Sequence, residues 1–116
     1  MIFCGDLNFT AETTEIWGEE AKMDEFLYFF IQMMNEFNLV DIIPWKMNPT
    51  WRNGRKGDNG IGKRLDMFIL TKNLVEKLGR FRSWVVNYEV SDHCPICFQF
   101  EVEKYLKRCP FKFNHV

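Results

Sequence analysis

No run of about 18 or more apolar residues occurs in the chain, which excludes a membrane-spanning helix. Met1 to Thr10 carries neither a basic leader nor an apolar stretch followed by a small-residue cleavage site, so a soluble, intracellular protein is expected. There is no internal repeat and no linker-like stretch, and the chain reads as one globular unit. Disordered, collagen-like and low-complexity classes are excluded by a content of 47% hydrophobic and 16% aromatic residues, enough for one modest core. The 4 cysteines, without a leader, are expected to stay reduced. Cys94 and Cys97 do form a C-x-x-C, but no second Cys or His pair stands at matching spacing. The segment has strand character, and residues three apart on a strand face opposite sides, so the two sulfurs are not expected to share a zinc ion.

What is present is an uneven charge. The net charge is -1, yet residues 1 to 45 hold nine acids and one base, residues 46 to 82 hold ten bases and three acids, and residues 83 to 116 hold four of each. The middle third is a basic patch. Such asymmetry can draw phosphates to one region while acids elsewhere hold a metal, and it equally fits ordinary solvated loops.

Met1 to Cys4 is a short apolar run ending at Gly5, the pattern of a strand buried on both faces, which needs neighbours and covering layers and points to missing upstream sequence. Met23, Phe26, Leu27, Phe30, Met33, Met34 and Phe37 recur at helical spacing and predict an amphipathic helix whose Met and Phe stripe is core. Glu19, Glu20, Asp24 and Glu25 near its start suit the helix dipole. Leu39 to Pro44 is a short apolar segment, and Pro44 and Pro49 punctuate an irregular stretch. Asn53 to Lys63, with Gly54, Gly57, Gly60 and Gly62, predicts a hairpin loop flanked by strands at 50 to 53 and 64 to 70. Leu74 to Leu78 reads as a helical turn, Phe81 to Val90 as a strand and connection, and Cys94 to Val102 as a last strand. The order is an α/β pattern.

Three small motifs fall at strand ends: Gly5-Asp6-Leu7-Asn8, Arg64-Leu65-Asp66 and Ser91-Asp92-His93-Cys94-Pro95. Open α/β sheets present their chemistry at such ends, so Asp6, Asn8, Asp66, Asp92 and His93 are expected to converge on one cleft. Their types suit phosphodiester hydrolysis, which needs an oriented water, a base, and positive charge or donors against an anionic transition state. A hard divalent cation held by carboxylates such as Asp92 supplies the last of these. Each residue alone also has a plain structural use: Asp6 and Asn8 in a turn, Asp92 in an Asx-turn or cap, Asp66 paired with Arg64, and His93 as a satisfied imidazole.

Taken in order, the three motifs resemble the C-terminal half of the endonuclease/exonuclease/phosphatase superfamily, a fold of two packed sheets flanked by helices. The implied fold class is α/β, half of a four-layer α/β sandwich with its N-terminal half absent. Residues 1–103 would be that half, and residues 104–116 a tail leading toward a missing downstream region. Thr50-Trp51, a Gly-rich loop, Arg64-Leu65-Asp66 and the run Met67-Phe68-Ile69-Leu70 resemble the endonucleases of plant LINE-type (non-LTR) retrotransposons. The inositol-phosphatase branch differs, because there Trp is closely followed by Asp-Arg. Arg52 stands where that endonuclease pattern has Ser, Leu7 where Phe is more usual, and Met47-Asn48-Pro49 where a Gly-containing turn is expected. The tail Pro110 to Val116 resembles the segment leading toward a reverse transcriptase, with His115 a tail residue and not a ligand.

The resemblance implies Mg²⁺- or Mn²⁺-dependent cleavage of DNA. It makes Asp6 the group that orients or deprotonates water, Asn8 the holder of that water and a phosphate oxygen, and His93 the contact to the scissile phosphate. Asp66 would fix the His93 ring, and Asp92 would lie on the metal side. Trp51, Arg52, Arg55, Lys56 and Lys63 are the candidates for DNA contact, Trp51 serving equally well as a core residue. The upstream half of such domains supplies a first sheet, an Asn and the main metal-binding Glu, so this chain alone is expected to be inactive. The alternative is a non-catalytic remnant that binds through exposed core.

Overall fold

The computed structural model describes residues 1–18, 22 and 24–101. Glu19, Glu20, Met23 and the whole 104–116 tail, Pro110 to Val116 included, lie outside the described residues. Strands β1 (Ile2–Asp6), β3 (Leu39–Asp41) and β6 (Asp66–Thr71) form a sheet in the order β1-β6-β3, antiparallel throughout. A second small sheet joins β2 (Ile16–Trp17), β4 (Trp51–Arg52) and β5 (Gly62–Lys63), in the order β2-β5-β4. Strands β7 (Phe81–Val85) and β8 (Ile96–Phe100) pair antiparallel as a ribbon. Helices α1 (Leu27–Glu36) and α2 (Lys72–Lys77), with short 3-10 turns at Thr13–Glu15 and Gly57–Asn59, complete the described elements, giving the mixed α/β class that the element order indicates.

Helix α1 begins later than its apolar periodicity does. The Asp24 carboxylate accepts the Phe26 N–H at 2.9 Å and the Asp24 carbonyl accepts the Leu27 N–H at 3.1 Å, so these residues form the turn that precedes the helix. At the other end Asn38 takes φ 48°, a left-handed conformation that Asn tolerates and that stops the helix. Among the described stripe residues Phe30 is the buried one, packing with Leu39, Met67 and Ile69 and with the partly buried Leu7, Phe9, Met33 and Met34. Phe9 meets Phe30 edge-on at 4.7 Å. The expectation that the whole stripe is core is corrected for Phe26 and Phe37, 66% and 57% exposed, which flank the helix outside its packed face.

Strand β1 exists where expected, but it is not buried on both faces. Ile2 and Phe3 are each 49% exposed, because β1 is the edge of its sheet and pairs on one side only, with β6. On the other face of the sheet Phe68 meets Phe98 of β8 at 5.5 Å, which is how the β7–β8 ribbon is attached. The hairpin is also redrawn. Its second flank is the two-residue β5, in register Trp51↔Lys63 and Arg52↔Gly62, and residues 66–71 belong to the other sheet. The chain changes sheets at Arg64 and Leu65, both buried.

That crossing is fixed by an ion-pair network. The Arg64 guanidinium donates to Glu15 at 2.6 Å, to both carboxylate oxygens of Asp41 at 2.9 and 2.6 Å, and to the Ile42 carbonyl at 3.3 Å. Burial alone would lower the Arg64 pKa, but the bonds and charges of Asp41, then of Glu15, hold it above its ordinary value. Glu15 is only 1% exposed, and its second oxygen accepts the Ala11 and Glu12 N–H groups. No buried side-chain N or O among the described residues lacks a partner. The plain sequence alternative, Arg64 paired with Asp66, is therefore replaced by Arg64 paired with Glu15 and Asp41, which leaves Asp66 to a different partner.

Candidate active site

The end of β1 and the start of β6 face each other in register Asp6↔Asp66, which sets two carboxylates side by side on one face. Like charges directly opposite in an antiparallel pair repel. His93 offsets this: its Nδ1 lies 2.9 Å from the Asp66 carboxylate and its Nε2 lies 3.8 Å from Asp6. The hydrogen bond to Asp66 raises the His93 pKa, burial opposes it, and the charges of Asp66, Asp6 and Asp92 raise it further, leaving it above the ordinary 6.5. The ring is fixed on one nitrogen and open on the other, with 34% of the side chain exposed. The open Nε2 edge is thus oriented by Asp66 and free to meet a ligand, donating to an anion when the ring is protonated.

The strand that carries His93 into place is β4. Trp51 and His93 form an isolated antiparallel bridge, the Arg52 N–H donates to the Asp92 carbonyl at 2.9 Å, and the Cys94 N–H donates to the Thr50 carbonyl at 2.7 Å. The half-buried Trp51 donates its indole N–H to the Asp92 carboxylate at 3.3 Å. Ser91 donates to the other Asp92 oxygen at 3.3 Å and accepts the His93 N–H at 3.2 Å. The Asx-turn or cap reading of Asp92 is therefore corrected: Ser91, not Asp92, accepts the backbone N–H of this loop, and the exposed Asp92 carboxylate accepts from two side chains instead.

Thr50 is the residue that sequence reading missed. It is fully buried, and its hydroxyl oxygen accepts the N–H groups of Leu65 at 2.9 Å and Asp66 at 3.0 Å, setting the direction in which Asp66 leaves the sheet crossing. Thr50 belongs to the Thr50-Trp51 pair of the sequence resemblance, but its type and spacing do not show which backbone groups it holds. Thr50→Val is expected to leave the buried Leu65 N–H and the partly buried Asp66 N–H without this acceptor and to cost about 2 to 6 kcal/mol, at roughly 1 to 3 per orphaned group. Thr50→Ser retains the acceptor and is expected to stay within about 1.5 kcal/mol of the parent in urea unfolding; equal losses for both variants would contradict the assignment.

Asp6 accepts the Asn8 N–H at 2.8 Å, and Asn8 takes φ 57°, so the turn reading of these two residues holds. Both remain exposed beside His93's open nitrogen or on the adjoining turn. The Leu7 N–H donates to the Leu65 carbonyl at 2.9 Å and keeps this turn against β6. The five expected residues therefore come together at one end of the sheets: Asp6, Asp66 and His93 directly, and Asp92 through its place next to His93 in the chain and its charge. Asn8 joins through its backbone bond to Asp6.

The basic residues divide. Arg52, Arg55 and Lys56 line an open cleft of about 870 Å³ between the hairpin loop and the segment Asn87 to Asp92, which brings the cleft to the edge of the site. Lys63 lies on β5 opposite Trp51 and outside that cleft's lining. The Cys94 and Cys97 thiols are free, as is Cys4, and Cys94 precedes β8 in the loop and is not part of the strand as expected. Among the described residues no group of three or more His, Cys, Asp or Glu side chains is placed to hold a metal.

No protein-family model matches the chain. No curated protein matches it. Among solved structures, the chain is similar to the "Endonuclease domain of TRAS1, a telomere-specific non-LTR retrotransposon", with a TM-score of 0.64 and 24% identity over 89% of this chain. The aligned region covers 44% of that domain, so the chain spans less than half of its length. What the two share is the fold of that portion: a mixed α/β unit with antiparallel sheets.

Proposed function

We propose that this chain is the C-terminal portion of a metal-dependent DNA endonuclease domain of a retroelement, of the LINE type found in plants, and half of a four-layer α/β sandwich. The observation that carries the reading is His93, held at 2.9 Å by Asp66 with its other nitrogen open beside Asp6, on a fold shared with part of an endonuclease domain. Asp66 accepts the Nδ1 proton and orients the ring. The pairing with Asp66 raises the His93 pKa and so favours the imidazolium, which in this reading donates from Nε2 to a non-bridging oxygen of the scissile phosphate and stabilises its growing charge. Asp6 takes a proton from the attacking water as the phosphorus–oxygen ester bond opposite it breaks, the departing alkoxide takes its proton from solvent, and the Asn8 amide positions that water and a phosphate oxygen.

A bound Mg²⁺ or Mn²⁺ supplies Lewis-acid stabilisation of the phosphate oxygens. Asp92 would contribute a carboxylate to it, and its other ligands would have to lie outside the described residues, among which no group of three or more such side chains is placed to hold a metal. The isolated chain is therefore expected to leave supercoiled plasmid intact in Mg²⁺. A nick made by the purified chain and stopped by EDTA would overturn this.

DNA is the proposed partner, met by Arg52, Arg55 and Lys56 in the cleft beside the site, with Lys63 and Trp51 at the hairpin root. Replacing Arg55 and Lys56 together with Ala is expected to weaken duplex binding and to flatten the salt dependence by about two units of slope, one for each phosphate that is no longer neutralised. An unchanged slope in fluorescence anisotropy titrations at several salt concentrations refutes the role of these two cations.

A non-catalytic binding remnant is the second reading, favoured by the exposed apolar residues of edge strand β1, Ile2 and Phe3. DNA binding without Mg²⁺-dependent cleavage, after an upstream half is restored, is the result that selects it.

A further inference from the structure

Between β4 and β5 the loop carrying Arg55 and Lys56 has no strand pairing of its own, yet it is closed by one side chain. The Asn53 amide nitrogen donates to the Asn59 carbonyl at 2.9 Å, and its amide oxygen accepts the N–H groups of Arg55 at 3.1 Å and Ile61 at 3.0 Å. Its own N–H donates to the Ile61 carbonyl at 3.0 Å. Three side-chain bonds thus tie both ends of the loop to its root. From outside, the loop is braced by Gly18 at the end of β2, where φ is 87° and a Cβ would overlap the Gly60 carbonyl.

A flexible basic loop binds DNA only after its conformational freedom is given up, and a loop already fixed avoids that cost. Arg55 and Lys56 are exposed and line the cleft that leads to Asp92. Their direction into that cleft depends on the backbone at Arg55, whose N–H is one of the groups that Asn53 holds.

We propose that Asn53 is a positioning residue for DNA binding: its amide fastens the 54–61 loop into the shape that aims Arg55 and Lys56 at the duplex, without itself touching DNA. The inference rests on the DNA-binding reading of the basic cleft and specifies what organises it. Because Asn53 acts through the two cations, its effect must vanish when they are absent.

The test is a double-variant cycle on the chain itself, read by anisotropy with a fluorescent DNA duplex. Asn53→Ala is expected to weaken binding about tenfold, the scale of two or three weak hydrogen bonds and of forfeited pre-organisation, with the salt slope kept because the same phosphates are met once bound. In the background with Arg55→Ala and Lys56→Ala, the same change is expected to alter affinity less than about twofold. Equal losses in both backgrounds, or no loss in either, overturn the role of Asn53 while leaving DNA binding in place. If the Arg55→Ala, Lys56→Ala variant binds duplex as the parent does, the DNA reading of the cleft fails and this inference with it. Amide hydrogen exchange in the absence of DNA gives an independent check: the Arg55 and Ile61 N–H groups should exchange at least about tenfold faster in Asn53→Ala, through loss of their acceptor. Unchanged exchange there contradicts the staple directly.

Discussion

Arg64→Ala should destabilise the chain by about 3 to 5 kcal/mol, because it leaves the buried carboxylate of Glu15 and the partly buried one of Asp41 without their cation. Glu15 is 1% exposed and cannot turn to water without opening the loop from Ala11 to Glu15. A domain of this size has a total stability on the order of 5 to 15 kcal/mol, so the variant is expected to be largely unfolded or to lose much of its urea midpoint. The loss extends to the site, since Arg64 fixes the crossing from which Thr50 aims Asp66. A loss under about 1 kcal/mol would show that the network is not what holds the two sheets in register.

Asp66→Asn is the second large effect, and it shows in two independent measurements. In the isolated chain, with EDTA present, the His93 ring followed by NMR is expected to titrate above 6.5 and to fall toward or below that value in the variant, since the bond to Asp66 is the largest cause of the rise. The sign for stability follows: a folded-state pKa above the unfolded one stabilises the fold fully below pH 6.5, and this contribution is lost as pH rises through the folded value. The parent should therefore lose some stability as pH rises from 6.5 through the folded His93 value, and Asp66→Asn should lose that pH dependence. In a domain completed by an upstream half, the same variant is expected to cut DNA about 10²- to 10⁴-fold more slowly, the usual contribution of a positioned acid or base. A His93 titration unmoved by Asp66→Asn would contradict the pairing on which the mechanism stands.

The motifs are readable because strand-end residues are short in sequence and fixed in type: Asp6, Asp66, Asp92 and His93 each stand out in the chain, and in the structure Asp6, Asp66 and His93 meet while Asp92 stands beside them in the loop, bonded to Trp51 and Ser91. Apolar runs likewise place β1, β6, β7 and β8. The misplacements share one cause, that burial depends on neighbours which the local pattern does not contain. Phe26 and Phe37 fit the helical period yet stand off the packed face, and Ile2 and Phe3 are apolar on an edge that only β6 covers. The two-residue strands β2 and β5 are too short to leave a periodic trace. Thr50, Asn53 and the Arg64 network act through backbone groups and through partners 15 to 49 positions away, or across a loop, which composition and spacing do not encode. Trp51, expected as DNA contact or core, has a third use, as a half-buried indole bonded to Asp92.

The most direct measurement is plasmid nicking by this chain joined to an upstream half of the same fold, with and without Mg²⁺, beside its His93→Ala variant. The expected result is a Mg²⁺-dependent nick that EDTA stops and that His93→Ala reduces at least about a hundredfold. Duplex bound but left uncut in Mg²⁺, or cut at the parental rate by His93→Ala, would contradict the assignment of this site to phosphodiester hydrolysis.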